Sequence, residues 1–156
     1  LESVKEMPLL QIRPLQANDF DDWLQLWLAY QTFYRVDIPA DTSRIVWRRL
    51  LDPAEPMHGA LAVRDGQPVG LVHRITHRTC WAVADDCYLQ DLFVAASVRG
   101  QGVGRMLIEH VYAAAAAQGC ARVYWLTHET NATAMLLYDR ISERSGFVEY
   151  SKSLAG

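Results

Sequence analysis

The chain has 156 residues, 51% of them hydrophobic and 21% charged, with a formal net charge of −3. That is enough to bury one core and too little to divide comfortably in two, so one domain over residues 1–156 is expected, without the broad basic footprint of a nucleic-acid binder. No apolar run reaches the roughly 18–20 residues that cross a bilayer, and Cys80, Cys87 and Cys120 form no CxxC pair, which fits a reduced, cytoplasmic protein.

Residues 1–7 read as a frayed lead, and 9–14 as a first strand stopped by Pro14. In the next segment Asn18 or Asp19 is placed to cap a helix whose apolar stripe is Phe20, Trp23, Leu24, Trp27, Leu28 and Tyr30 or Gln31. A second helix, capped by Asp41 or Thr42, ends before Pro53. Asp65-Gly66 lies between two β-rich runs and reads as a hairpin turn, and "CYLQDLFV" as a further, central strand. After three glycines comes a helix with Val103, Leu107, Val111 and Ala115 on one stripe and Gly119 at its C-terminal end. "ARVYWLTH", "NATAMLLYDRISERSG" and "FVEYSKSL" complete the pattern as strand, helix and last strand. The order β-α-α-β-β-β-α-β-α-β predicts an α/β fold with a mixed, mainly antiparallel sheet flanked by helices.

The glycines at 100, 102 and 104 therefore stand between a central strand and the helix it feeds. A helix N-terminus carries about half a positive charge and unpaired N–H groups that suit a phosphate. Glycine lets backbone approach such an anion closely, and Arg99 adds a cation. The segment is neither a P-loop, since no Lys-Ser/Thr pair follows, nor a dinucleotide fingerprint, since Arg105 and Leu107 stand where its third glycine belongs.

The R-x-x-G-x-G pattern of Arg99–Gly104, the helix after it, the N-x-x-A-x-x-L-Y spacing of Asn131, Ala134, Leu137 and Tyr138, and Gly146-Phe147 together resemble the GNAT superfamily of acetyl-CoA-dependent N-acetyltransferases. The resemblance covers most of the chain and is strongest from Cys87 to Tyr150. It implies acetyl-CoA as co-substrate. The pantetheine arm would lie along Leu92, Phe93 and Val94, and the pyrophosphate on Arg99, Gly100, Gln101, Gly102, Val103, Gly104 and Arg105. Asn131 and Ala134 would line the coenzyme, and Tyr138 would face its sulfur as general acid. The Trp before "YLQDLFV" and the early aromatic helix look most similar to members acting on polyamines and basic protein amines. The superfamily also implies a homodimer.

Acetyl transfer to an amine needs a neutral nitrogen, and deprotonating an amine of pKa about 10.4 near pH 7.5 costs roughly 4 kcal/mol. Similar polyamine enzymes carry Glu-Asp where this chain has Gln90-Asp91, so the favoured carboxylate is absent. Asp91, on a strand expected to point it away from Gln90, is either a base or an orienting carboxylate; otherwise water takes the proton. Burial would raise its pKa unless it is paired. Phe33, Tyr34 and Asp37, with Gln90, are the candidate acceptor rim, while Trp23, Trp27 and Tyr30 read as core.

Residues 1–98 hold nine basic against thirteen acidic groups, and 99–156 six against five. That asymmetry favours a cationic acceptor, with Asp37, Asp85 and Asp86 as the places to meet it. The expected acceptor is a small amine of polyamine type. A protein lysine or N-terminal acetyltransferase and a non-catalytic acyl-CoA sensor are the alternatives. His73, His77, Cys80 and Cys87 match no zinc-ligand spacing, so no metal is expected. His128 reads as a strand-end histidine, and no serine lies in a nucleophile elbow.

Overall fold

The computed structural model describes residues 9–154; the expected lead at 1–7 lies outside them. The chain divides into two compact units, one running to Trp125 and the other beginning at Leu126.

In the first unit five strands form one sheet in the order β1-β2-β3-β4-β5: β1 Leu10–Pro14, β2 Met57–Arg64, β3 Gln67–His77, β4 Asp86–Val94 and β5 Arg122–Tyr124. The first four run antiparallel, and β5 lies parallel to β4. Helices α1 (Phe20–Tyr34), α2 (Ala40–Leu51) and α3 (Val103–Ala117) complete the unit. The mixed, mainly antiparallel sheet flanked by helices is the fold class read from the sequence. The Asp65-Gly66 turn closes the β2–β3 hairpin with φ of 50° and 74°, the left-handed pair that matches strand twist.

Adjacent residues of β3 show how the two sheet faces are used. Leu71 packs with Trp23, Leu26, Trp27, Trp47, Leu50, Leu61 and Phe93 under α1 and α2. Its neighbour Gly70 points the other way, where a Cβ would stand 3.0 Å from Leu107 Cδ1 of α3. Val103, Leu107, Val111 and Ala115 are all buried, as their spacing predicts, and Ile108 joins them. Leu107→Ala is expected to cost about 2–5 kcal/mol, because Leu107 is completely enclosed and the sheet cannot collapse into the gap; denaturant unfolding measures it.

Gly119, with φ of 79°, ends α3 in a Schellman arrangement: Cys120 N–H donates to Ala115 O at 2.9 Å and Gly119 N–H to Ala116 O at 3.0 Å. At the end of α1 the same pair of bonds is made around Arg35, a non-glycine residue at φ 54°.

Two helix caps and one apolar stripe differ from expectation. Asp19 does not cap α1 with its side chain; it reaches back to Gln16 N–H at 2.7 Å and takes the Arg13 guanidinium at 2.6 and 2.8 Å. The Arg13 bonds hold the Asp19 carboxyl below its ordinary range. Neither Asp41 nor Thr42 caps α2, which already begins at Ala40 after Pro39. On α1 the buried stripe takes in Leu26 and leaves Leu28 half exposed.

The second unit holds α4, Ala132–Ile141. It stops short of the predicted end at Gly146, because Ser142 turns to extended backbone at φ −154° and ψ 179°, its N–H and hydroxyl both donating to Tyr138 O at 2.9 and 2.6 Å. The expected last strand at 147–154 is not formed: Phe147, Val148, Tyr150 and Leu154 are exposed, and among its described residues this unit has no strand to pair with. A strand-like pattern needs a neighbour for its backbone groups.

Candidate active site

β4 and β5 are paired only at Asp86↔Arg122, Cys87↔Val123 and Tyr88↔Tyr124, so the expected strand 121–128 is cut to three residues while β4 runs on to Val94. The paired end is clamped. Arg122 meets Asp86 at 2.8 Å, Tyr88 and Tyr124 stack with centroids 5.0 Å apart, and the Tyr124 hydroxyl bonds His77 Nε2 at 2.7 Å. β5 ends at Tyr124, so β4 from Leu89 to Val94 has no β5 residue beside it.

β4 also carries an extra residue. His73 pairs with Asp91 and Arg74 with Leu89, so Gln90 has no partner on β3. The bulge reverses the alternation: Leu89, opposite Arg74, belongs to the α3 face, whereas Asp91, opposite His73, belongs to the α1 face. The strict alternation on which the expectation for Asp91 and Gln90 rests is therefore broken at Gln90 itself. Gln90 is exposed.

Asp91 is buried and fully engaged. Its Oδ1 accepts from the Tyr30 hydroxyl at 2.7 Å, and its Oδ2 meets His73 Nδ1 at 2.9 Å. His73 Nε2 accepts from Trp23 Nε1 at 2.9 Å. An indole N–H can only donate, so Nε2 keeps its lone pair and the ring proton sits on Nδ1, facing the carboxylate. Donation in the chain Trp23–His73–Asp91–Tyr30 thus converges on the Asp91 carboxylate from both sides. Burial first, then the Asp91 charge, pushes the Tyr30 and Tyr34 hydroxyls above the ordinary phenol range, so both stay protonated. His77 is likewise committed: its Nδ1 donates to Arg78 O at 2.7 Å.

An aromatic shelf lies over this acid. Tyr30 sits 4.8 Å from Tyr34 and 6.3 Å from Phe93, and Phe33 5.0 Å from Tyr34 and 6.5 Å from Phe93, centroid to centroid. The Arg99 guanidinium lies 5.1 Å above Phe33 and 5.8 Å above Phe93, while its Nε donates to Val94 O at 3.2 Å. Phe33, Tyr34, Asp91, Phe93 and Arg99 are therefore brought together. Asp37 is exposed on the α1–α2 loop, with no ion pair among the described residues. Asp85 and Asp86 are already paired, with Arg78 at 3.1 Å and Arg122 at 2.8 Å.

The glycine loop opens α3. Gly100 and Gly102 have φ of 78° and 81°, and a Cβ at either would meet nothing within 4 Å. Gly102 is the N-cap and offers no side chain to the first-turn N–H groups of Val103, Gly104 and Arg105. The loop from Ala95 to Gly104 contains no acid. Arg64 Nη1 donates to the Gln101 amide oxygen, and Gly104 lies against Val94, 3.7 Å from its Cγ2 if given a Cβ. Exposed N–H groups, open space and basic residues fit the pyrophosphate of coenzyme A. Leu92 and Val94 face the α3 side, and Phe93 the shelf.

In the second unit Asn131 starts α4, but its amide donates to Thr127 Oγ1 at 3.2 Å instead of capping the helix. Ala134 and Tyr138, both partly buried, follow on α4. His128 closes the preceding turn, its Nδ1 2.6 Å from Thr130 Oγ1.

Sequence reasoning missed Trp23, Tyr30 and His73 as site residues. A signal for Tyr30 was present: a phenol on a core stripe and an acid on a core strand each need a partner.

β4 thus runs on past its three residues paired with β5, toward a helix opened by glycines. Residues 20–142 match the acetyltransferase (GNAT) family; the chain belongs to that family and is an acyltransferase that uses acetyl-CoA as co-substrate. It is 34% identical over 144 residues to the D-amino-acid N-acetyltransferase HPA3 of Saccharomyces cerevisiae, covering 91% of this chain and 89% of that one. The aminoglycoside acetyltransferase AAC(6')-Iy, solved with the bisubstrate analogue CoA-S-monomethyl-acetylneamine, shares the fold at a TM-score of 0.82 and 18% identity, over 94% of this chain and 99% of that one. The ribosomal-protein-alanine N-acetyltransferase of Brucella melitensis biovar Abortus 2308 does so at 0.75 and 18%, over 94% and 100%.

Proposed function

We propose that the chain, acting as one N-acetyltransferase domain, transfers acetyl from acetyl-CoA directly to the amino group of a small monoamine of amino-acid type. The observation that carries this reading is the single carboxylate of Asp91, oriented by Tyr30 and His73 beneath the shelf of Tyr30, Phe33, Tyr34 and Phe93. One fixed anion under aromatic rings suits one ammonium on an apolar body. A polyamine would need several free carboxylates, and Asp85 and Asp86 are neutralised by arginines. The yeast relative named for D-amino acids supports the same choice.

In this reading Asp91 draws and orients the incoming ammonium. Its two oxygens each already accept a hydrogen bond, and the proton leaves the amine to water. Tyr138 then protonates the departing thiolate. The pantetheine lies along Leu92–Val94 beside the gap left by β5, and the pyrophosphate rests on the Arg99–Arg105 loop. The enzyme acts in the cytoplasm as a homodimer.

Mass spectrometry of products from acetyl-CoA with D- and L-amino acids, spermidine, putrescine, a basic peptide and a no-amine control tests the acceptor. Acetylated amino acids are expected; product from spermidine alone would restore the polyamine reading, and product from the peptide alone the protein-modifying one. Gly102→Val forces a branched side chain into the left-handed region at a strain of about 1–2 kcal/mol, and acetyl-CoA affinity measured by calorimetry is expected to fall about tenfold. Wild-type affinity in that variant would remove the loop from coenzyme binding.

A further inference from the structure

Where β1 ends at Pro14, between the end of α2 and α3 and apart from Asp91, lies a cavity of about 280 Å³. Its walls include Leu50 and Leu51 from the end of α2, Val72 from β3 and Val111 from α3, and its polar groups are His58, Arg74 and His110. His58 and Arg74 are directly opposed on β2 and β3, and the α3 helix brings His110 to them.

The hydrogen bonds here have one polarity. Arg74 Nη1 donates to Gln118 Oε1 at 2.6 Å, which turns the Gln118 amide nitrogen toward His58 Nε2, 3.4 Å away. That nitrogen can only donate, so His58 Nε2 accepts and its ring proton sits on Nδ1. The side chains lining the cavity include no carboxylate, and among the described residues Arg74 has no acidic partner. Asp85 and Asp86, at the start of β4, are held by Arg78 and Arg122. Burial and then the Arg74 charge lower the pKa of both His58 and His110, as an uncompensated cation does. The remaining titratable neighbours are thiols: Cys87 on β4, raised by burial, and Cys120 beyond α3.

We propose that this cavity is a second small-molecule site, separate from the acetyl-transfer site, that takes an organic monocarboxylate. The carboxylate pairs with Arg74 between His58 and His110, and a branched apolar body fills the space beside Leu50, Leu51, Val72 and Val111. A partly enclosed guanidinium lacking a counter-ion recognises the anion, and the apolar wall distinguishes it from a bare inorganic ion.

The test uses the whole chain without acetyl-CoA, with 4-methylpentanoate as probe and 4-methylpentan-1-ol and inorganic phosphate as controls, followed by calorimetry and by proton NMR of the imidazoles. The carboxylate is expected to bind, and to move the His58 and His110 titrations upward, because a bound anion favours the imidazolium. The alcohol and phosphate are each expected to bind at least about tenfold more weakly. Arg74→Met should lose about tenfold in affinity, and Ala114→Leu, which fills the cavity from α3, should block binding while acetyl transfer persists in both. Equal binding of the alcohol, undiminished binding in both variants, or imidazole titrations that ignore the probe would each overturn the proposal. Should Arg74→Met fail to fold, the Ala114→Leu and alcohol comparisons decide it.

Discussion

Tyr138→Phe is expected to lower kcat on the order of 10²-fold, with acetyl-CoA affinity little changed. The substitution removes one oxygen and keeps the ring, so the packing of α4 is retained. Its backbone is also held independently of the side chain, since Tyr138 O accepts two bonds from Ser142. What is lost, in the proposed mechanism, is a proton donor for the thiolate that leaves when the amine attacks. A phenol hydroxyl is a stronger acid than water and so a better match to that thiolate. Steady-state kinetics on the best acceptor, paired with calorimetric titration of acetyl-CoA, separates the two effects. An unchanged kcat would take Tyr138 out of the reaction, and a parallel loss of coenzyme affinity would make it a binding residue.

Asp91→Asn is expected to raise the KM of the amine by on the order of ten- to a hundredfold while kcat stays within a few fold, the signature of lost ground-state orientation. The amide oxygen can still accept from His73 Nδ1, and its NH₂ then faces Tyr30, whose hydroxyl turns to accept. The fold is retained and the charge is gone. Asp91→Ala is harsher. It strands the buried His73 N–H and the Tyr30 hydroxyl at about 1–3 kcal/mol each, so a clear drop in thermal stability accompanies it. If Asp91→Asn instead lowers kcat by on the order of 10²-fold or more and abolishes the acid limb of the pH profile, Asp91 is the general base.

The α3 stripe, the Gly119 terminus and the Asp65-Gly66 turn were legible because each depends on neighbours within a few residues of sequence. Periodicity predicted the burial of Leu107 and Val111, and only left-handed backbone explains glycine after such a helix. The Gln90 bulge was not legible: it is a mismatch in residue count between β3 and β4, visible only once their register is known. The Trp23–His73–Asp91–Tyr30 chain was hidden for the same reason, since its members lie up to 68 positions apart while Trp23 and Tyr30 satisfy a core stripe on their own. His73 drew notice for its spacing from His77, yet its partners come from α1 and β4. The segment 147–154 failed in the opposite sense, with strand chemistry and no strand beside it in its own unit.

Arg35 carries a consequence for ionic strength. A side chain in the left-handed region is disfavoured by about 1–2 kcal/mol, while a cation at a helix C-terminus gains about 0.3–1 kcal/mol at low salt. Raising the salt from about 0.1 M to 1 M shrinks the screening length from roughly 10 Å to 3 Å and removes the favourable part while leaving the steric one. The last turn of α1 bears Phe33 and Tyr34, so the proposed acceptor rim is the portion of this enzyme whose order should be most sensitive to the salinity of its surroundings.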